Sequence, residues 1–215
     1  MPHPKMPRPK MPRSKMTRRT LLRLSAATGL SAAAPSLLGL GRAAHAAEVP
    51  APVLTDDGLY KQPWFLESFL DLAEDLTLAT DQGKRFAVMW ELKGCPYCKE
   101  THFTNFADPD IHDFVSTHFD ILQLNIIGSR LVSDFDGEEL SEKDLAGKYG
   151  VRFTPTIQFF PEGTEGLRMQ PAQHREVTRM PGYFRPPHFL AMFKFVDQKA
   201  YNTQDFRAFL RQDDS

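Results

Sequence analysis

The chain carries its only two cysteines two residues apart, in the segment Gly94-Cys95-Pro96-Tyr97-Cys98-Lys99. This segment follows an apolar run from Phe86 to Trp90, typical of a central strand, and precedes a helix-like stretch that reaches about Phe106. A disulfide across two intervening residues closes almost no loop, so it would stabilise the fold very little. The spacing therefore predicts a dithiol that exchanges disulfides at a strand-to-helix junction, rather than a structural bridge.

Hydrophobic periodicity predicts alternating helices and strands in the rest of the chain. The predicted helices are 63–80, 97–106, 109–118, 141–149 and 187–201, with further helical turns at 203–211, and the predicted strands are 85–92, 120–126, 156–160 and 175–180. Strands separated by helices imply a parallel βαβ unit, and the last two strands imply an antiparallel pair. The predicted fold class is therefore α/β, with a central mixed β-sheet flanked by helices on both faces.

Charge is divided unevenly along the chain. Residues 1–46 hold nine of the 26 lysines and arginines and no acidic residue, which leaves 17 basic and all 27 acidic side chains in residues 47–215. The net charge of this larger part is −10. Nucleic-acid-binding domains usually carry a basic stripe, so the acidic composition argues against a nucleic-acid partner.

The basic N-terminal segment is predicted to be a twin-arginine export signal. Arg18 and Arg19 precede a weakly apolar stretch from Leu21 to Leu40, and Ala44-His45-Ala46 is a small-residue cleavage site. Because glycine, serine and proline interrupt the apolar stretch, an uncleaved membrane anchor is the less favoured alternative.

Three parts of the chain follow from these patterns. Residues 1–46 form the predicted signal peptide with a basic, proline-rich start, and residues 47–62 form an extended arm with a turn. Residues 63–215 form one α/β domain, in line with the usual length of a single domain.

The order of these elements resembles the thioredoxin fold over roughly residues 60–200. The resemblance depends on the cysteine pair after the first sheet strand and on Thr154-Pro155 before the third strand. The domain of residues 63–215 is therefore expected to be thioredoxin-like. Three features depart from cytosolic thioredoxins. Gly94 stands where these have tryptophan, Pro96-Tyr97 stands between the cysteines where they have glycine and proline, and Met89 stands where they have a buried acid.

Within that superfamily, the sequence is similar to exported thioredoxins of the SoxW type, which are associated with periplasmic sulfur oxidation. The similarity rests on the cysteine segment, on Asp134-Phe135-Asp136-Gly137 in a long loop, and on the stretch from Leu145 to Thr156. It implies a monomeric periplasmic reductase without a cofactor. Its partners would be disulfide-containing proteins or small-molecule thiol substrates, with a membrane thiol transporter as electron donor.

The two cysteines are expected to differ in role. Cys95 precedes the helix, where amide N–H groups and the helix dipole stabilise a thiolate, so it is the predicted nucleophile. Cys98 lies one turn further on and is expected to be more covered, so it would resolve the mixed disulfide. Pro96 suits the first turn of a helix, where its missing N–H costs little.

The substrate-binding residues are expected beside the cysteines. By resemblance, Pro155 forms a cis peptide bond with Thr154 and lies against the cysteine pair, where the neighbouring backbone binds an extended substrate segment. Thr154 would lie over the sulfurs and affect their reactivity. Pro96 and Tyr97, between the cysteines, complete this predicted set.

Glu91 is a candidate proton acceptor. Residues two apart in a strand face the same side, so Glu91 shares the face of Met89 and lies nearer the cysteines. If buried, it could take the proton that Cys98 must lose. The alternative is a solvent-facing glutamate paired with Lys93.

Several other functions stay open at the sequence level. A disulfide oxidase or isomerase would use the same cysteines, and a non-catalytic binding module would keep only the fold. Zinc binding by Cys95, Cys98 and His102 lacks a fourth ligand, so His102 is expected to be a solvated or packed helix residue. Asp134, Asp136 and Glu138 do not match an EF-hand calcium loop, and a solvated loop is expected there.

Overall fold

The computed structural model describes residues 48–213, and the elements follow in chain order. They are β1 (Val53–Leu54), β2 (Tyr60–Lys61), α1 (Leu72–Asp81), β3 (Arg85–Glu91), α2 (Pro96–Glu100), α3 (Pro109–His118), β4 (Phe119–Asn125), β5 (Leu131–Ser133), β6 (Glu139–Ser141), α4 (Glu142–Lys148), β7 (Thr156–Phe159), β8 (Thr178–Pro181), α5 (Pro186–Asp197) and α6 (Phe206–Asp213). None of the described helices is long and apolar enough to cross a membrane. The signal peptide predicted for residues 1–46 lies outside the described residues.

The central sheet has the strand order β4-β3-β7-β8. β3 runs parallel to β4, with Arg85 opposite Phe119 and Glu91 opposite Asn125. β7 is antiparallel to both β3 and β8. This arrangement confirms the predicted mixed sheet, with a parallel βαβ unit followed by an antiparallel pair.

β3 is buried along its whole length because helices cover both faces of the sheet. Ala87 and Met89 belong to the core formed with α3, α5 and α6. Phe86, Val88 and Trp90 belong to the opposite core, formed with α1 and α4. Alternate side chains therefore fill different cores, which confirms the predicted pair of helical layers.

The first helix is shorter than predicted. α1 begins only after Asp71, whose carboxylate accepts hydrogen bonds from the backbone N–H groups of Ala73 and Glu74. Leu70 has a φ of 65° and cannot continue a helix, and Phe69 is 97 % exposed. The helical spacing of Phe69 therefore misled the prediction for residues 63–71.

The long loop contains the β5–β6 hairpin and is not a simple solvated loop. Asp134 is buried and forms ion pairs with Arg175 at 2.7 Å and Lys148 at 2.5 Å. Burial alone would raise the pKa of Asp136, but hydrogen bonds from Lys148 and Arg175 lower it well below its usual range. These carboxylates therefore anchor the loop to α4 and to the segment before β8.

The segment predicted as an extended arm contains the β1–β2 hairpin. Val53 pairs with Lys61 and Leu54 with Tyr60, while Thr55 and Leu59 close the turn through their backbones. The residue that follows β2, Gln62, is fully buried. The hairpin is therefore anchored against the domain next to the end of β3.

Asp75 is the buried acid of α1. It is 5 % exposed and accepts a hydrogen bond from the Ser68 hydroxyl at 2.6 Å. Burial raises its pKa from 3.8 to about 6, and the nearby carboxylates of Asp71, Glu74 and Asp120 add to the increase. The folded protein thus binds this proton more tightly than the unfolded chain does.

We expect Asp75 to make stability fall as pH rises from about 4 to about 6, because the folded state then loses a proton that it binds preferentially. Asp75→Asn keeps an acceptor for Ser68 and removes the charge. The variant should be more stable than the parent by about 1–2 kcal/mol at pH 7.5 and show a smaller difference at pH 4. Urea denaturation at both pH values measures this.

Glu165→Gln is the matched control, because Glu165 is exposed and has no ion pair among the described residues. It should change stability little at either pH. An equal gain for Asp75→Asn at pH 4 and pH 7.5 would contradict the assignment of this pH dependence to Asp75.

Candidate active site

The cysteine pair lies at the junction of β3 and α2. After β3 the chain turns through Gly94, whose φ of 77° favours glycine, and the Cys95 amide N–H donates to the carbonyl oxygen of Leu92 at 3.1 Å. Cys95 then caps α2, and it forms a disulfide with Cys98. The predicted strand-to-helix position of the pair is confirmed.

The two sulfurs have different surroundings. The Cys95 side chain is partly exposed and its sulfur accepts the backbone N–H of Cys98 at 3.1 Å, whereas Cys98 is 5 % exposed. Pro96 occupies the first turn, where no N–H is needed. After reduction, the amide and the start of the helix would stabilise a Cys95 thiolate more than a Cys98 thiolate.

Thr154 and Pro155 face this pair. Their peptide bond is cis, as the resemblance implies, and the Thr154 carbonyl oxygen lies 3.5 Å from the Cys95 sulfur. Pro155 is buried, and its carbonyl oxygen accepts the N–H of Gly182 at 2.7 Å. The structure thus brings Thr154 and Pro155, two of the four predicted substrate-binding residues, next to the predicted nucleophile.

Tyr97 lies between the two cysteines in the sequence, and its aromatic side chain is exposed. It is 59 % exposed and stacks on Tyr183, with ring centroids 5.9 Å apart. Burial raises the pKa of Tyr183 above its usual value, and the charge of Glu100 adds to this, so the phenol stays neutral. A neutral aromatic surface is therefore available next to Cys95.

Glu91 is buried and does not pair with Lys93. It is 1 % exposed, and its carboxylate lies 3.0 Å from Nε2 of His102 and also accepts a hydrogen bond from the Gln123 amide. The solvent-facing alternative for Glu91 is therefore wrong. Its predicted role in proton transfer stays a prediction.

His102 is fully buried, so the expectation of a solvated residue is wrong and that of a packed residue is right. It lies in the π-helical turn that continues α2, and its ring packs against those of Phe65 and Phe106. The Gln62 side-chain amide lies 3.1 Å from the His102 carbonyl oxygen and 3.3 Å from its Nδ1. Both ring nitrogens of His102 are therefore engaged by side chains.

A cavity of about 580 Å³ lies beside the cysteine pair. Its walls come from the β1–β2 hairpin, the end of β3 and the cysteine segment: Leu54, Thr55, Asp56, Gly58, Leu59, Tyr60, Glu91, Leu92, Lys93, Gly94, Cys95, Pro96, Cys98 and Lys99. Glu91 and both cysteines thus line one space.

The zinc alternative does not fit this geometry. Cys95 and Cys98 are joined to each other, and His102 directs its ring nitrogens at Glu91 and Gln62. Within residues 48–213, no three His, Cys, Asp or Glu side chains are grouped as metal ligands. The arrangement suits disulfide exchange and buried proton transfer.

Sequence reasoning missed Gln62 and Gln123, and it considered His102 only as a zinc ligand or as a solvated or packed helix residue. One signal was available, because His102 follows Cys98 by four residues and therefore lies on the same helix face. The contributions of Gln62 and Gln123 depend on a hairpin and a neighbouring strand that are distant in sequence, so no local pattern predicts them.

Comparison with known proteins gives a family and a fold. The model of the thioredoxin-like domain family matches residues 72–197, which is more than half of the chain. No curated protein matches the sequence.

Similar solved structures include a thioredoxin-fold protein from Helicobacter pylori, 19 % identical, with a TM-score of 0.53; the match covers 69 % of this chain and 91 % of that protein. A thioredoxin from Thermus thermophilus is 23 % identical with a TM-score of 0.43, and the match covers 59 % of this chain and 83 % of that protein. At these identities, the first likeness supports the fold and the second carries no further argument. The chain belongs to the thioredoxin-like domain family, and its Cys95–Cys98 pair fits a thiol–disulfide oxidoreductase.

Proposed function

We propose that the protein is an exported thiol–disulfide oxidoreductase that works as a reductase in the periplasm. The observation that carries the proposal is the position of Cys95: its partly exposed sulfur caps α2, next to the cis-Pro155 loop, with Cys98 buried behind it. An attacking thiol must be accessible, whereas a resolving thiol need only reach its neighbour. The two cysteines meet these different needs.

The reaction has two exchange steps. The Cys95 thiolate attacks one sulfur of a substrate disulfide, which forms a Cys95–substrate disulfide and releases the first substrate thiolate. The Cys98 thiolate then attacks the Cys95 sulfur, which forms the Cys95–Cys98 disulfide and releases the second substrate thiolate. One substrate disulfide is reduced to two thiols, and the enzyme dithiol is oxidised.

Substrate binding is assigned to the surface around Cys95. The backbone at Thr154 and Pro155 would bind an extended segment of a protein disulfide, and Tyr97 would contact its side chains. Pro96 shapes the turn between the cysteines. Small-molecule disulfides that reach Cys95 would be substrates of the same site.

Glu91 is assigned as the acceptor of the Cys98 proton. Glu91 is buried, and it lines the same cavity as Cys98. Proton removal turns the Cys98 thiol into the nucleophile of the second step. Glu91, two residues after Met89 on β3, would thus take the place of the acid that cytosolic thioredoxins carry at the position of Met89.

The proposal also includes export, an electron donor and a physiological pathway. Arg18-Arg19 and the Ala44-His45-Ala46 site support export, and the similarity to SoxW-type thioredoxins supports a role in sulfur oxidation. An exported reductase needs electrons from the cytoplasmic side, so a membrane thiol transporter is the proposed donor. We propose that the mature protein acts as a monomer.

We expect Cys95→Ser to lower insulin-reduction activity by at least about a hundredfold, because it removes the attacking sulfur. Cys98→Ser should also stop turnover but should accumulate a Cys95-linked mixed disulfide. Mass spectrometry of that adduct measures the trapped species and identifies its partner.

Insulin reduction that survives Cys95→Ser would contradict the assigned nucleophile. The direction of electron flow is measured by equilibrating the wild-type pair with glutathione. A reduction potential near that of thioredoxin, about −270 mV, is expected, whereas a value near −120 mV would identify an oxidase instead.

Glu91→Gln should slow the second exchange step about tenfold or more, because the amide cannot accept the Cys98 proton. The first step depends on Cys95 and should change little. With Ellman's reagent as substrate, the reduced protein releases two aromatic thiolates in succession, and stopped-flow absorbance separates the two steps.

The matched control is Glu100→Gln, which removes an exposed carboxylate on α2 and should leave both steps unchanged. Equal slowing of the two steps by Glu91→Gln would refute a specific role in resolving the mixed disulfide.

The export proposal predicts that a C-terminally tagged full-length chain is recovered from the periplasm with Ala47 at its new N-terminus. Replacing both Arg18 and Arg19 with lysine should retain the unprocessed protein in the cytoplasm, because twin-arginine export reads that pair. Fractionation and N-terminal sequencing measure this, with Lys10→Arg and Lys15→Arg as charge-preserving controls. Processing that is unaffected by the double replacement would exclude the twin-arginine route.

A further inference from the structure

The proposed mechanism uses Glu91 but leaves its buried neighbour His102 without a role. His102 is 0 % exposed, and its Nε2 lies 3.0 Å from each carboxylate oxygen of Glu91. Removing an imidazole from water is costly unless both ring nitrogens have partners. The way in which these partners are arranged determines which nitrogen carries the proton.

Gln62 identifies the protonated nitrogen. Its Nε2 donates to the backbone carbonyl oxygen of His102 at 3.1 Å, and a carbonyl can only accept. The same NH₂ group lies 3.3 Å from Nδ1 of the ring. Because an amide NH₂ group can only donate, Nδ1 must be the unprotonated acceptor, and the ring proton must lie on Nε2.

Turning the Gln62 amide over would not satisfy the site. Its oxygen would then face the His102 carbonyl oxygen, so two acceptors would meet without a hydrogen between them. In the observed orientation the only unpartnered polar atom of Gln62 is its Oε1. The observed orientation thus leaves one amide oxygen unpaired, whereas the reversed one would place two oxygens against each other.

We propose that His102 is a positioning residue for Glu91, held by Gln62 as the neutral Nε2–H tautomer. In this form it donates to the carboxylate and cannot take the proton that Glu91 receives. The inference rests on the proposed function, because it assigns Glu91 to proton transfer from Cys98. The N-terminal hairpin therefore contributes to the chemistry, since Gln62 directly follows β2.

The proton balance of the second step follows. The Cys98 S–H bond breaks and the proton moves to the Glu91 carboxylate, while the Nε2–H of His102 and the Gln123 amide hold the carboxylate in place. The Cys98 sulfur forms a bond to Cys95, and the bond between Cys95 and the substrate sulfur breaks. The departing substrate thiolate takes a proton from solvent, and Glu91 later returns its proton to solvent.

The tautomer can be measured without any turnover. Long-range ¹H–¹⁵N correlation spectra of the oxidised protein at pH 7 distinguish Nε2–H, Nδ1–H and doubly protonated imidazole rings. The His102 signals are identified by their absence from the His102→Gln spectrum. We expect the pure Nε2–H pattern, and either of the other two patterns would overturn the proposal.

Gln62→Met tests the source of this preference, because methionine has nearly the same shape but no amide. The variant should show a mixture of ring forms at His102 or a shift away from Nε2–H. A His102 spectrum identical to that of the parent would overturn the role given to Gln62.

Kinetics of the two thiolate releases from Ellman's reagent test the role in positioning. His102→Leu should slow the second release about tenfold or more, while His102→Gln, which can present an amide N–H to Glu91, should stay within about threefold of the parent. His118→Gln is the control on a partly exposed histidine that pairs with Asp197, and it should change neither release. An unchanged second release in His102→Leu would overturn the proposal.

Gln62→Met supplies a second kinetic test should His102→Leu fail to fold. It should slow the second release and spare the first, and an unaltered second release would overturn the proposal. Different results would refute the proposed function and the proposed role of His102. If the wild-type protein reduces no disulfide, the proposed function fails even where His102 has the expected tautomer; if turnover is normal but the tautomer differs, only the role of His102 and Gln62 fails.

Discussion

The structure depends on one strand that is buried on both faces. Each residue of β3 is covered, and alternate side chains enter two separate cores, so a shift of one residue would exchange their contents. This constraint fixes the position at which β3 ends. Because Cys95 follows the end of β3 by four residues, the packing of the strand also sets the position of the cysteine sulfurs.

Because the end of β3 is also buried, a charged side chain there is destabilising unless it is hydrogen-bonded. Glu91 continues the face of Met89 into the protein, where a carboxylate needs hydrogen-bond donors. His102 and Gln123 supply them, and Gln62 satisfies the far side of the imidazole. Four polar side chains from four segments of the chain therefore form one buried cluster, and Glu91 and Cys98 both line one cavity.

Local sequence patterns predicted the elements whose burial is regular. The apolar run of β3 and the Asp108–Pro109 start of α3 are strong signals, and both elements formed close to the expected bounds. The helix predicted from residue 63 began only at Leu72, because Leu70 adopts a left-handed conformation that periodicity does not register. The long loop was misjudged for a related reason: the partner of Asp134, Arg175, lies 41 residues away.

The resemblance to the thioredoxin fold, and not composition or spacing, implied a proline that faces the cysteines. The sequence by itself determined the chemistry that is possible: two cysteines at exchange spacing and a helix that starts between them. These features are local or follow the order of elements, so composition and spacing can express them. Only the tertiary structure decided whether Glu91 was buried and which groups contacted it. Burial and long-range hydrogen bonds depend on the packing of a hairpin, two strands and a helix, and no single segment carries that information.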